Sequence, residues 1–119
     1  HQMITTISSG LKKTTHFIDL IKGMFPMGSM TGVPKKKAMQ LIEYYEEANR
    51  SIYSGSIGYV TPQEDFDFNV VIRSILYNAK ENYLSVSAGG AITINSVAEQ
   101  EYEECILKAK GLFEVLNQT

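Results

Sequence analysis

The sequence predicts an α+β fold, antiparallel strands with helices outside them, on three observations. Apolar residues recur at helical spacing near the start and over residues 97–116, the stretch from 51 to 94 switches to a period of two, and Gly, Pro and Asn cluster between these runs. At 119 residues, 44% hydrophobic and 20% charged, the chain falls in the ordinary globular class and can build one core at most, so a single domain over 1–119 is expected.

Taken in order, residues 2–8 set Met3, Thr5 and Ile7 against Gln2, Ile4, Thr6 and Ser8, with β-branched residues dominating, which predicts a strand ended by Ser9-Gly10. In HFIDLIKGMF, Phe17, Leu20, Ile21 and Met24 recur at helical spacing, predicting a short helix stopped near Gly23. Pro26, Gly28 and Gly32 mark a loop, and Pro34 suits a first helical position. The helix after it is expected to bury Ala38, Leu41, Ile42 and Tyr45 and to show Lys36, Lys37, Gln40 and Glu43 to water. Residues 53–60, 66–76 and 83–94 are rich in Tyr, Phe, Val and Ile and are separated by TPQED and YNAKEN, which predicts a three-stranded antiparallel meander. Tyr102, Cys105, Ile106, Ala109, Leu112, Phe113 and Leu116 then define a closing helix.

Composition excludes several classes. A net charge of −2 gives no broad basic surface, so neither nucleic acid nor an anionic membrane is expected as a partner. No apolar run is long enough for a membrane span and no leader-like segment is present, which makes a cytoplasmic location the expectation. Cys105, the single cysteine, has no partner for a disulfide or a C-x-x-C site, and it reads as an inert thiol on a helix. The chain opens with HQMITTIS, strand-like from its first residue, and it reads as a fragment. Sheet edges and apolar surface left uncovered would then favour self-association.

Three places could carry chemistry on their residues alone. The loop Gly28-Ser29-Met30-Thr31-Gly32 precedes a helix, where backbone amides and the helix dipole favour an anion; the alternative is that Gly and Pro only shape the helix entry. It is not a phosphate-binding P-loop, since its glycines are four apart and Lys35 follows Gly32 by three. Glu101, Glu104 and Lys108 share one face of the last helix, and two carboxylates on one turn can hold a hard cation that keeps several waters. Taken alone, such a face is usually solvated and self-paired. Arg73 sits among Val70, Val71, Ile72 and Ile75, an expensive setting for a guanidinium unless it meets an anion or lies on an edge with its head in water. Tyr53, at the head of a Tyr- and Gly-rich strand, reads on its own as an aromatic packed in the core.

The run FPMGSMTGVPKKKAMQLIEYYEEANRSIYSGSIGY, together with EYEECILKA and AGGAI, resembles the C-terminal part of the chorismate-utilising enzymes. That family includes the anthranilate, aminodeoxychorismate, isochorismate and salicylate synthases, and its motifs run FPxGSxTGxPKxxAM, YxGxIGY, AGxGI and EYxETxxKA. The resemblance implies the C-terminal portion of an anthranilate-synthase-type α/β sandwich, and a C-terminal fragment of one chorismate-binding domain. It implies that Thr31 lines the chorismate pocket, that Tyr53 donates to the ligand, and that Arg73 holds a carboxylate by a forked pair of hydrogen bonds. Gly89, Gly90 and Ala91 would bring backbone amides close to substrate, with Ala91 standing where the family has a third glycine. Glu104 would be a direct Mg2+ ligand, Glu101 would act through a coordinated water, and Lys108 would reach a substrate carboxylate. Cys105 replaces the usual Thr, with little effect expected. His1 would be a general acid near the departing hydroxyl, and His16 has no counterpart and reads as a surface residue at a helix start.

The family's other Mg2+ ligand, its basic lysine and its acidic glutamate have no place in this sequence, so the resemblance implies an isolated chain without turnover. GSMTGVPK and GSIGY side with the aminodeoxychorismate synthases, whose product feeds p-aminobenzoate and folate, over the GTxSGAPK and GAVGY of anthranilate synthases. A glutamine amidotransferase supplying ammonia would be the partner. The alternatives are an anthranilate synthase, an isochorismate synthase, or a binding module that keeps the fold without catalysis.

Overall fold

A computed structural model describes residues 5–117. They form three α-helices and four short strands in two separate antiparallel pairs, the α+β composition expected of a piece of the chorismate-binding fold. Two compact units divide the chain at residues 45 and 46.

The first unit holds α1 (Phe17–Met24) and α2 (Lys35–Tyr45). His16 caps α1, its Nδ1 accepting from the Ile18 amide at 3.2 Å, so the expected helix-start surface role is what this side chain has. Pro34 stands one residue earlier than expected: it precedes α2 and its carbonyl accepts the first helical bond, from the Ala38 amide at 3.0 Å. Two expectations fail in this unit. Residues 5–8 pair with no strand and are exposed, because alternation alone forms no ladder without a neighbour; residues 2–4 lie outside the described residues. On α2, Ala38 and Ile42 are half-buried, but Leu41 and Tyr45 are exposed, so this helix has an apolar stripe without a complete cover.

In the second unit, β1 (Ser56–Val60) pairs with β2 (Phe66–Val70), and β3 (Ile75–Asn78) pairs with β4 (Tyr83–Val86). The three-stranded meander is therefore corrected to two hairpins. The run 66–76 does not continue as one strand, since Arg73 adopts a left-handed backbone with φ 51° and the Ile72 amide turns back onto the Val70 carbonyl at 3.0 Å. Just before that bend, Val71 still exchanges bonds with Ser54 and Gly55 at 2.9 and 3.0 Å, and it is the one buried hydrophobic residue among those described.

Each hairpin closes by local chemistry. In TPQED the Glu64 amide donates to the Thr61 carbonyl at 3.0 Å and Glu64 takes φ 67°, while the Thr61 hydroxyl accepts from the Asp65 amide. In YNAKEN the Asn78 side chain accepts from the Lys80 and Glu81 amides, Asn82 adopts φ 49°, and the Tyr77 hydroxyl donates to Asn82 Oδ1 at 3.0 Å. Gly58 lies opposite Phe68, and a Cβ there would come within 2.4 Å of the Phe68 ring and 2.2 Å of the Asp67 carbonyl oxygen. The glycine of GSIGY is thus demanded by cross-strand packing. After a coil through residues 87–97, α3 (Ala98–Leu116) ends the described chain, with Glu99 and Glu101 in its first turn where the helix dipole favours carboxylates.

Candidate functional site

The second unit brings Tyr53, Gly89, Gly90, Glu101, Glu104 and Lys108 together. The key is the double glycine, which runs close past α3. A Cβ on Gly90 would stand 2.9 Å from Glu101 Oε2 and 3.8 Å from Glu104 Oε1, so both carboxylates converge on the space that the missing side chain leaves. A Cβ on Gly89 would stand 3.0 Å from the Tyr53 hydroxyl. Lys108 Nζ donates to the Gly89 carbonyl at 3.0 Å and pairs with Glu104 Oε1, which ties the helix to the glycine stretch.

The covered side of α3 carries this chemistry. Glu101, Cys105, Lys108, Ala109, Leu112 and Leu116 are half-buried at helical spacing, whereas Tyr102, Ile106 and Phe113 of the expected apolar face are exposed. The helix therefore turns Glu101 and Lys108, with Cys105 between them, toward the chain and part of its apolar stripe away, while Glu104 stays exposed beside Lys108. Ala91 is exposed and has no left-handed φ, so the methyl group in place of the family's third glycine is accommodated. Among the described residues no three His, Cys, Asp or Glu side chains cluster, and a cation over Gly90 would have two carboxylates from this chain. A hard ion that keeps several waters fits such a donor set.

The remaining expected residues have their own surroundings. Arg73 is exposed on the bend between the hairpins and makes no ion pair among the described residues. In the first unit, Thr31 donates its hydroxyl to the Met27 carbonyl at 3.0 Å. The amides of Met30 and Thr31 are engaged within a 3₁₀ turn over Gly28–Met30, which leaves fewer donors in that loop for an anion than its glycines imply. His1 lies outside the described residues.

Two contributors escape a reading by motif. Arg50 grips Glu46 with a forked pair of bonds, Nε to Oε2 at 2.7 Å and Nη2 to Oε1 at 2.5 Å, and donates to the Ser54 hydroxyl at 3.2 Å. The pair holds the Glu46 carboxyl below its usual range, chiefly through the Arg50 hydrogen bond, and raises the Arg50 guanidinium through the same contact. The Tyr53 amide donates to the Arg50 carbonyl at 2.9 Å, so this clamp fixes the turn from which Tyr53 reaches Gly89. The second is Ser96, whose hydroxyl donates to Glu101 Oε1 at 2.6 Å. A Ser just ahead of a helix with a Glu inside its first turn is a capping signal, which could have marked it.

The sequence pattern of the family described as chorismate binding enzyme matches residues 1–114. The chain belongs to that family. This member of the chorismate-binding enzymes is 43% identical over 112 residues to an aminodeoxychorismate synthase, chloroplastic, of Arabidopsis thaliana, covering 93% of the chain and 12% of the relative. It is 40% identical over 118 residues to a probable aminodeoxychorismate synthase, chloroplastic, of Oryza sativa subsp. japonica, covering 99% and 13%. To anthranilate synthase component 1 of Aquifex aeolicus it is 36% identical over 114 residues, covering 96% and 23%. The chain thus spans about an eighth of the plant relatives and under a quarter of the Aquifex protein. No helix among the described residues is long and apolar enough to cross a membrane.

Proposed function

We propose that the chain is part of a Mg2+-dependent enzyme that aminates chorismate, with aminodeoxychorismate as its product and a glutamine amidotransferase as its ammonia-supplying partner. The observation that carries this reading is the convergence of Glu101 and Glu104 over Gly90, with Lys108 and the Tyr53 hydroxyl on the same glycine stretch. Supporting it are the names of the plant relatives, and the word "component" in the Aquifex name fits a two-subunit arrangement.

In the proposed reaction ammonia forms a carbon–nitrogen bond to the ring as the ring hydroxyl leaves, taking a proton to depart as water. When bound, Mg2+ would supply positive charge to the substrate carboxylate and to the developing negative charge. Glu104 would hold that ion directly and Glu101 through a coordinated water. Lys108, already donating to Gly89 and Glu104, has a third ammonium proton to offer a substrate carboxylate. Arg73 would clamp a carboxylate, and Thr31 would line the pocket. His1 would serve as general acid. On this reading the 119-residue chain by itself turns nothing over, because two carboxylates from α3 provide half a metal site and the amine beside them, Lys108, is already paired with Glu104.

The test uses the longer protein that carries this chain, with chorismate, ammonia and Mg2+, and identifies the product by chromatography. Aminodeoxychorismate is expected, and Glu104→Ala should abolish the Mg2+-dependent rate while Glu103→Ala, one position along the helix, leaves it largely intact. Equal losses would remove the metal assignment. Anthranilate as product would transfer the chain to the second reading, which the Aquifex relative keeps open. Product from the isolated chain would refute its inactivity.

A further inference from the structure

We infer that Ser96 is a positioning residue that orients Glu101 for the divalent cation, an inference that rests on the proposed Mg2+ site. Ser96 closes the turn ahead of α3: its amide donates to the Thr93 carbonyl at 3.1 Å, and its hydroxyl oxygen accepts from the Thr93 amide at 3.0 Å. An amide N–H can only donate and an ionised carboxylate can only accept, while the Thr93 hydroxyl, 3.4 Å from the Ser96 hydroxyl, can do either, so the single Ser96 proton goes to the nearer and stronger acceptor. It points at Glu101 Oε1, 2.6 Å away, in the short range of hydrogen bonds to charged acceptors.

The two oxygens of Glu101 consequently have different tasks. Oε1 is held by Ser96, and Oε2 is turned to the space above Gly90, 2.9 Å from where a Cβ would stand. A glutamate has three side-chain torsions and loses them at a cost when it binds an ion. Ser96 removes that freedom beforehand through a contact that leaves Oε2 open to the ion or its water. Glu104 is held differently, by Lys108 four residues further along the same helix. The acidic pair is thereby fixed from two sides, one oxygen of each carboxylate being engaged by its own partner.

The test is Mg2+ binding by calorimetry, with Mn2+ binding by electron paramagnetic resonance beside it, on the longer protein without chorismate. Ser96→Ala should weaken binding roughly tenfold, in line with losses on removing partners that orient metal ligands. At saturating Mg2+ its kcat should stay near that of the parent. Ser96→Thr, which keeps the hydroxyl, should recover most of the affinity. Should the alanine variant not fold, Ser96→Cys fills nearly the same space with a weaker donor and should bind at an intermediate strength. Unchanged affinity in Ser96→Ala or Ser96→Cys, with the parent binding Mg2+ normally, overturns the role of Ser96 alone. Failure of the parent to bind Mg2+ overturns the proposed metal site, and the Ser96 inference with it.

Discussion

Gly90 shows how a motif letter becomes a geometric demand. Neither Gly89 nor Gly90 takes a left-handed φ, so both are there for room: one lets the Tyr53 hydroxyl approach and the other lets two carboxylates in. Gly90→Ala should therefore displace Glu101 Oε2 and weaken Mg2+ binding by about tenfold, with little change in melting temperature; calorimetry and a thermal scan on the same sample check it. Equal affinity would mean the carboxylates do not use that space. Arg73 poses the opposite case. A non-glycine residue at φ 51° costs about 1 kcal/mol, and the strained position is exposed, with no ion pair among the described residues to repay it. Arg73→Gly should melt at the same temperature or slightly higher while losing chorismate affinity, and Arg73→Lys should lose affinity as well because a point charge replaces a fork. Chorismate titration decides: undiminished binding in both variants would place the carboxylate contact elsewhere. The acidic pair, the lysine and the glycines were legible as letters, because helical spacing fixes a common face. Ser96 was legible only as a capping signal, since its hold on Glu101 depends on how a turn folds back onto the helix.

The elements divide along the same line. All three helices were legible from apolar spacing, and α1 and α3 keep the expected ends within a residue or two, since capping and periodicity are local. The strands were legible as segments and illegible as pairs. Nothing in VVIRSIL announces that Arg73 reverses the backbone, and residues 5–8 alternate without finding a neighbour. The turn joining α2 to β1 depends on Glu46 and Arg50, and its pH response follows from the shift at Glu46. A carboxyl whose folded value lies below the ordinary 4.5 adds stability that is full above that value and is lost as pH falls through the lowered one. The pair is partly solvent-exposed, and screening by water keeps the contribution to about 0.5 kcal/mol. Glu46→Gln should speed hydrogen exchange at the Tyr53 and Gly55 amides at neutral pH, and the difference should close in acid. A difference that persists in acid would assign the turn's stability to its backbone bonds.

At the scale of the molecule, the missing property is burial. Val71 is the one buried hydrophobic among the described residues, whereas α3 alone exposes Tyr102, Ile106 and Phe113 at 68, 55 and 50% along one stripe. A soluble monomer seldom leaves such a stripe open, because apolar surface contributes about 25 cal/mol per Å2 when it is covered. In β1 every residue is exposed as well, which offers a neighbouring chain both apolar side chains and a strand edge. These surfaces give the expected self-association of the isolated chain a location. Sedimentation velocity should show a mean mass that rises with concentration, and Ile106→Lys with Phe113→Glu should return it toward the monomer without disturbing Glu101, Glu104 or Lys108, which helical spacing sets on a different face from that stripe. If the parent chain stays monomeric across the same range and binds no hydrophobic dye, the stripe is covered in solution, and the exposure that motivates the prediction does not exist.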